Sequence, residues 1–171
     1  MERTRLEEEI LAYLASHHTL SLATTRENIP HAASVFYVNE GFYLYFVSSP
    51  SSRHGMNLAQ NPWVSATINE DYAHWQKIKG IQLEGKVRLL GGIWEKGRIG
   101  LLFVKKFPDV AQFFVDPRNL NKELFAKVED VKFYEIIPSR ISFIDNEKGF
   151  SHRETLELTL RKAQEGTTSE K

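Results

Sequence analysis

Between Thr19 and Leu90 the chain alternates apolar and polar residues in short runs, each broken by a compact turn signal. A period of two sends successive side chains to opposite faces of a strand, so such runs build half-buried antiparallel sheet rather than helix. Thr19-Leu20-Ser21-Leu22-Ala23-Thr24 is the first run, and Arg26-Glu27-Asn28 turns the chain into a second strand, Pro30 to Val38. Asn39-Glu40-Gly41 turns it again into a third, Phe42 to Val47. Trp63 to Ile68 and Ile78 to Leu90 supply a fourth and a fifth. Gly80 and Gly85 lie inside the fifth, which predicts a bulge or a close approach by another backbone or a ligand.

Helical spacing interrupts this pattern at three places. Leu6, Ile10, Leu11 and Leu14 form one face of a helix over Arg3 to His17, with Glu7, Glu8 and Glu9 mostly on the other side. Arg53 to Gln60 is a short helix stopped by Asn61-Pro62. Ile93 to Lys106 is a third, carrying Trp94, Ile99, Leu102 and Phe103, and Asp109 to Lys127 is helical in pieces. Val131 to Ile137 and Ile141 to Asp145 are expected as two strands about a Pro138-Ser139-Arg140 turn, and Gly149 to Leu160 can extend the sheet. The fold class is therefore mainly β (α+β): an antiparallel barrel with flanking helices. The 171 residues suit a single domain, residues 1–162, followed by a polar, flexible C-terminal tail over 163–171.

Composition narrows the function. Lys plus Arg balance Asp plus Glu at 22 each, which argues against nucleic acid as a partner. The absence of cysteine removes disulfides, thiolate metal sites and thiol catalysis together. No metal-ligand spacing joins the six histidines, and no P-loop, dinucleotide glycine motif or nucleophile elbow occurs. Nothing from Met1 to Leu20 forms a signal-peptide core, and no apolar run approaches bilayer length, so a cytoplasmic protein without membrane contact is expected. Trp63, Trp75 and Trp94 are expected in the core or a subunit interface.

Three segments can carry chemistry. Val47-Ser48-Ser49-Pro50-Ser51-Ser52-Arg53-His54 sets a hydroxyl-rich loop against a helix start, where free N–H groups, Arg53 and His54 can bind phosphate; a merely capped surface helix is the alternative. Along the second strand His31, Ala33, Val35 and Tyr37 share one face, and small residues there leave room for a flat ligand or for ordinary packing. Gln82 shares a face with Gly80 and Glu84, and its amide can both donate to and accept from a heterocycle edge; a solvated polar face is the alternative.

The succession Pro-His-Ala-Ala-Ser-Val-Phe-Tyr (30–37), Ser-Ser-Arg-His-x-x-Asn-Leu (51–58), Asn-Pro-Trp-Val-Ser-Ala-Thr-Ile (61–68) and Gly-Ile-Gln-Leu-Glu-Gly (80–85) resembles the pyridoxamine 5′-phosphate oxidase-like superfamily of FMN-binding split β-barrels. Ile-Ser-Phe-Ile-Asp-Asn-x-x-Gly-Phe (141–150) is similar to the end of a small uncharacterised branch of it. The resemblance implies a Greek-key split barrel and a homodimer with FMN at the subunit interface. It implies an FMN-dependent oxidoreductase acting on a small-molecule substrate or electron donor. It implies cofactor contacts from His31, Ala33, Ser34, Val35, Val47, Ser48, Ser52, Arg53, His54 and Gln82, with Arg53 at the phosphate. His54 stands where lysine is usual, and His31 where arginine is commoner. Ser151-His152-Arg153-Glu154 does not reproduce the oxidase's Arg-x-His substrate pair. Relatives of this fold also bind haem or F420, so a non-catalytic binding module is the alternative; His54 and His152 are then the candidate haem ligands.

Overall fold

The computed structural model describes residues 4–110 and 130–158. Thr4 opens the first helix, α1 (Arg5–Ser16), with a reciprocal cap: its hydroxyl accepts from the Glu7 N–H, and the Glu7 carboxylate accepts from the Thr4 N–H at 2.7 Å. Strands β1 (Thr19–Arg26), β2 (Ile29–Glu40) and β3 (Tyr43–Ser48) form a meander. Two-residue turns link them, with Glu27, Asn28 and Gly41 at positive φ as such hairpins require. Helix α2 (Arg53–Gln60) follows, then β4 (Trp63–Asn69), β5 (Lys79–Leu89), α3 (Ile93–Lys106), β6 (Lys132–Asp145) and β7 (Arg153–Glu157).

The sheet runs β3-β2-β1-β4-β5-β6-β7, and β3 also pairs with β6. Six antiparallel strands thus close a barrel, as expected, and β7 extends it from β6. One edge of β6 pairs with β5 from Tyr134 to Asp145, interrupted by one bulge. Its other edge is divided: Lys132–Ser48 to Ile136–Leu44 pair it with β3, and Arg140–Glu157 to Ile144–Arg153 pair it with β7.

That division corrects the expected turn at Pro138-Ser139-Arg140. The segment is a bulge inside one continuous strand, where the register jumps from Glu84–Arg140 to Gly85–Pro138. A β-carbon on Gly85 would lie 2.3 Å from the Ile137 carbonyl oxygen, so the glycine lets the bent strand come close. A proline, which donates nothing to the ladder, is tolerated at such a bulge. The expected helical pieces over 111–127 and the tail over 163–171 lie outside the described residues.

Inward positions build one core. Leu20, Leu22, Tyr37, Leu44, Phe46 and Ile136 are among its buried members, and α1 adds Ile10 and Leu14. Each fully buried aliphatic side chain contributes roughly 1.5–3 kcal/mol. A second cluster lies under α3, where Ile99 and Phe103 meet Val38, Tyr45 and Leu90. Around it, buried Glu135 accepts from the Tyr45 hydroxyl at 2.9 Å and pairs with Arg88, while Arg98 pairs with Glu40. Trp63, Trp75 and Trp94 are not core residues: they are 50, 53 and 89% exposed. Among the described residues no helix is long and apolar enough to cross a membrane.

Candidate functional site

The hydroxyl-rich loop forms a compact cradle. Ser52 is the N-cap of α2: its hydroxyl accepts from the Gly55 N–H at 3.1 Å and donates to the Ser49 carbonyl at 2.7 Å. A β-carbon on Gly55 would lie 2.6 Å from the Ser49 carbonyl oxygen and 2.8 Å from that of Pro50. Only glycine lets the first turn of α2 lie this close to the loop. The N–H groups of Arg53 and His54 open the helix and have no intrahelical acceptor. Arg53 is exposed and has no ion-pair partner among the described residues.

Ser48 ends β3 with its hydroxyl 2.6 Å from His54 Nε2 and 3.3 Å from the Ser52 hydroxyl. The His31 ring lies parallel to that of His54, with centroids 6.4 Å apart. Burial first, and the charge of His31 second, push the His54 pKa below its usual 6.5. Both effects favour the neutral imidazole. Behind the cradle, buried Asn57 donates to the Thr24 hydroxyl at 3.0 Å, which ties α2 to β1.

The remaining candidates separate by strand face. His31 and Ala33 are half-buried on the inward side of β2, ahead of Val35 in the core, and half-buried Val47 precedes Ser48. Ser34 points the other way, with Ala32 and Phe36. Gln82 is exposed on β5. The register nevertheless puts Ser34 and Gln82 in one row, Ser34–Ser21–Thr67–Gln82, across the outside of β2, β1, β4 and β5. The ten predicted residues thus form two groups, the cradle with its strand lining and this outer row.

The outer row continues as Gln82–Ser142–Thr155 across β6 and β7. There it forms the floor of an open groove of about 560 Å³, whose lining includes Arg140, Arg153 and Glu157. Ser142 and Thr155 hydroxyls are 3.0 Å apart, and Arg140 sits 2.7 Å from Glu157 and 3.7 Å from Glu84. Sequence reasoning missed the β6 and β7 residues of this groove. Ser142 was visible as the polar member of Ile141-Ser142-Phe143, but its neighbours, and those of the all-polar Arg153-Glu154-Thr155, are set by long-range pairing. Both candidate haem ligands have Nε2 engaged, His54 with Ser48 and His152 with Glu154 at 3.1 Å. Among the described residues no three His, Asp or Glu side chains converge on a metal position.

Comparison with known proteins agrees with this architecture. A UPF0306 protein of Klebsiella pneumoniae is 29% identical over 145 residues, covering 82% of this chain and 86% of its own. A haem-binding protein of Mycobacterium smegmatis superposes with a TM-score of 0.69 at 21% identity; the match covers 92% of this chain and 60% of that one. General Stress Protein 26 of Bacillus anthracis superposes with a TM-score of 0.62 at 21% identity, covering 91% and 100%. Residues 6–145 match the family described as pyridoxamine 5′-phosphate oxidase, and the chain belongs to that family.

Proposed function

We propose that this protein binds FMN and acts, as a homodimer, as a flavin-dependent oxidoreductase of a small molecule. The observation that carries the reading is the cradle. It offers a phosphate the Arg53 guanidinium, the Ser48 hydroxyl and the opening N–H groups of α2, which the Ser52 cap holds in place. The donor set suits a phosphate monoester, with Arg53 as its fixed positive charge and neutral His54 as a further hydrogen-bonding group. When bound, a flavin carries the hydride chemistry in its own ring, and the chain supplies position and electrostatics. Gln82 and Ser34 lie on the outer face, away from the inward lining of β2. A flavin touched by both groups therefore draws one of them from a second copy.

Haem binding by a structural neighbour supports the alternative of a binding module. The engaged Nε2 atoms of His54 and His152 favour the flavin. The test is FMN titration of the purified chain and of Arg53→Ala, followed by flavin fluorescence. Loss of one charge-assisted phosphate bond, about 1.5–3 kcal/mol, weakens affinity by roughly ten- to a hundredfold. Equal affinity in the two proteins would misplace the phosphate, and haem uptake without flavin uptake would overturn the reading.

A further inference from the structure

The groove on the outside of β4, β5, β6 and β7 has an uneven distribution of charge. On β7, Arg153, Thr155 and Glu157 share the outward face, and Glu154 lies on the other. Glu157 is taken up by Arg140, which also sits beside Glu84. Glu154 faces Arg5, Lys148 and His152. Arg153 has no carboxylate partner among the described residues, although it lines the groove. Between Arg153 and the Arg140 group the floor is uncharged, made of the Gln82 amide and the Ser142 and Thr155 hydroxyls.

An unpaired guanidinium beside an amide and a hydrogen-bonded hydroxyl pair, which keeps one proton to donate, is a donor set. Arginine presents a planar fork that matches an oxyanion with two parallel hydrogen bonds. The volume suits a small metabolite. We infer that this groove is a second binding site, in which Arg153, Ser142 and Thr155 hold the carboxylate or phosphate of a small-molecule substrate. Anion binding at Arg153 stands apart from the flavin reading; the anion's being part of the substrate rests on that reading, through Gln82, which belongs to both the groove and the outer row.

The test is a ¹H–¹⁵N NMR titration of the full chain with inorganic phosphate and, separately, with acetate, at constant ionic strength. Saturable shifts at the amides of Ser142, Arg153 and Thr155 are expected with one or both probes, and the tighter probe identifies the anion. Arg153→Gln weakens that binding by about tenfold or more, and Arg153→Lys, which keeps the charge and loses the fork, falls between. Arg53→Ala leaves the groove shifts in place. Shifts confined to residues 48–54, shifts that do not saturate, or groove binding equal in Arg153→Gln would each overturn the inference. A protein that passes this test and ignores FMN would retain the anion site and lose the flavin reading.

Discussion

His54 stands where the resemblance to the family leads one to expect lysine. Lysine there would carry a permanent charge. Histidine, half-buried beside His31 and bonded to Ser48, gives up its proton more readily than usual. The unfolded chain restores the ordinary value near 6.5, so well above that pH both states are deprotonated and no stability difference arises. As pH falls below about 6.5 the unfolded state takes up the proton first, and stability declines until His54 also protonates in the folded state. Urea unfolding between pH 7.5 and pH 5 should show this loss, and His54→Gln, which keeps a hydrogen-bonding group, should flatten it. Parallel pH profiles for the two proteins would show that another group governs the range. Ser48, Ser52, Arg53 and His54 were legible as a cluster in the sequence because they are contiguous and a helix N-terminus is a local structure. The proximity of His31 to His54 was not, since nothing local brings the start of β2 to α2.

At the scale of elements, glycine decides where backbones touch. Gly85 was readable as a bulge signal within an alternating run, but its partner was not. Pro138 looked like a turn because a proline in a strand is normally an edge or an end, and only the bulge opposite Gly85 makes it a strand residue. Gly85→Ala drives a β-carbon against the Ile137 carbonyl and Pro138, both backbone and unable to swing aside. The cost should reach about 3 kcal/mol, the upper part of the range for an overpacked site. Gly97 in α3 is the opposite case, with nothing within 4 Å of an added β-carbon. Gly97→Ala should stabilise the protein by up to about 1 kcal/mol through helix propensity alone. Urea midpoints measure both, and a neutral Gly85→Ala would mean that β5 and β6 can separate at the bulge without cost.

The whole molecule presents a face that a lone barrel does not explain. Ala23, Ala32, Ser34 and Ser65 form an exposed and uncharged surface on β1, β2 and β4, with Phe36 63% exposed and Trp63 50% exposed at its margins. Interface cores are depleted of charged residues, and a sheet face kept free of them fits self-association, as the proposed dimer requires. The order β2-β1-β4-β5 that creates this face joins strands remote in sequence, which is why Ser34 and Gln82 could not be placed together from local pattern alone. Ala23 lies in its middle, opposite Ala32 on one side and Ser65 on the other. In a two-fold interface each substitution occurs twice, so Ala23→Arg introduces two buried charges at a cost of several kcal/mol. Analytical ultracentrifugation should show a dimer for the wild type and a monomer for Ala23→Arg. Circular dichroism should be unchanged, because Ala23 is exposed on the single barrel. FMN affinity should fall with the loss of the dimer if one flavin draws on both subunits. A monomeric Ala23→Arg that binds FMN as tightly as the wild type would confine the flavin site to one chain, and a monomeric wild type would remove the shared site altogether.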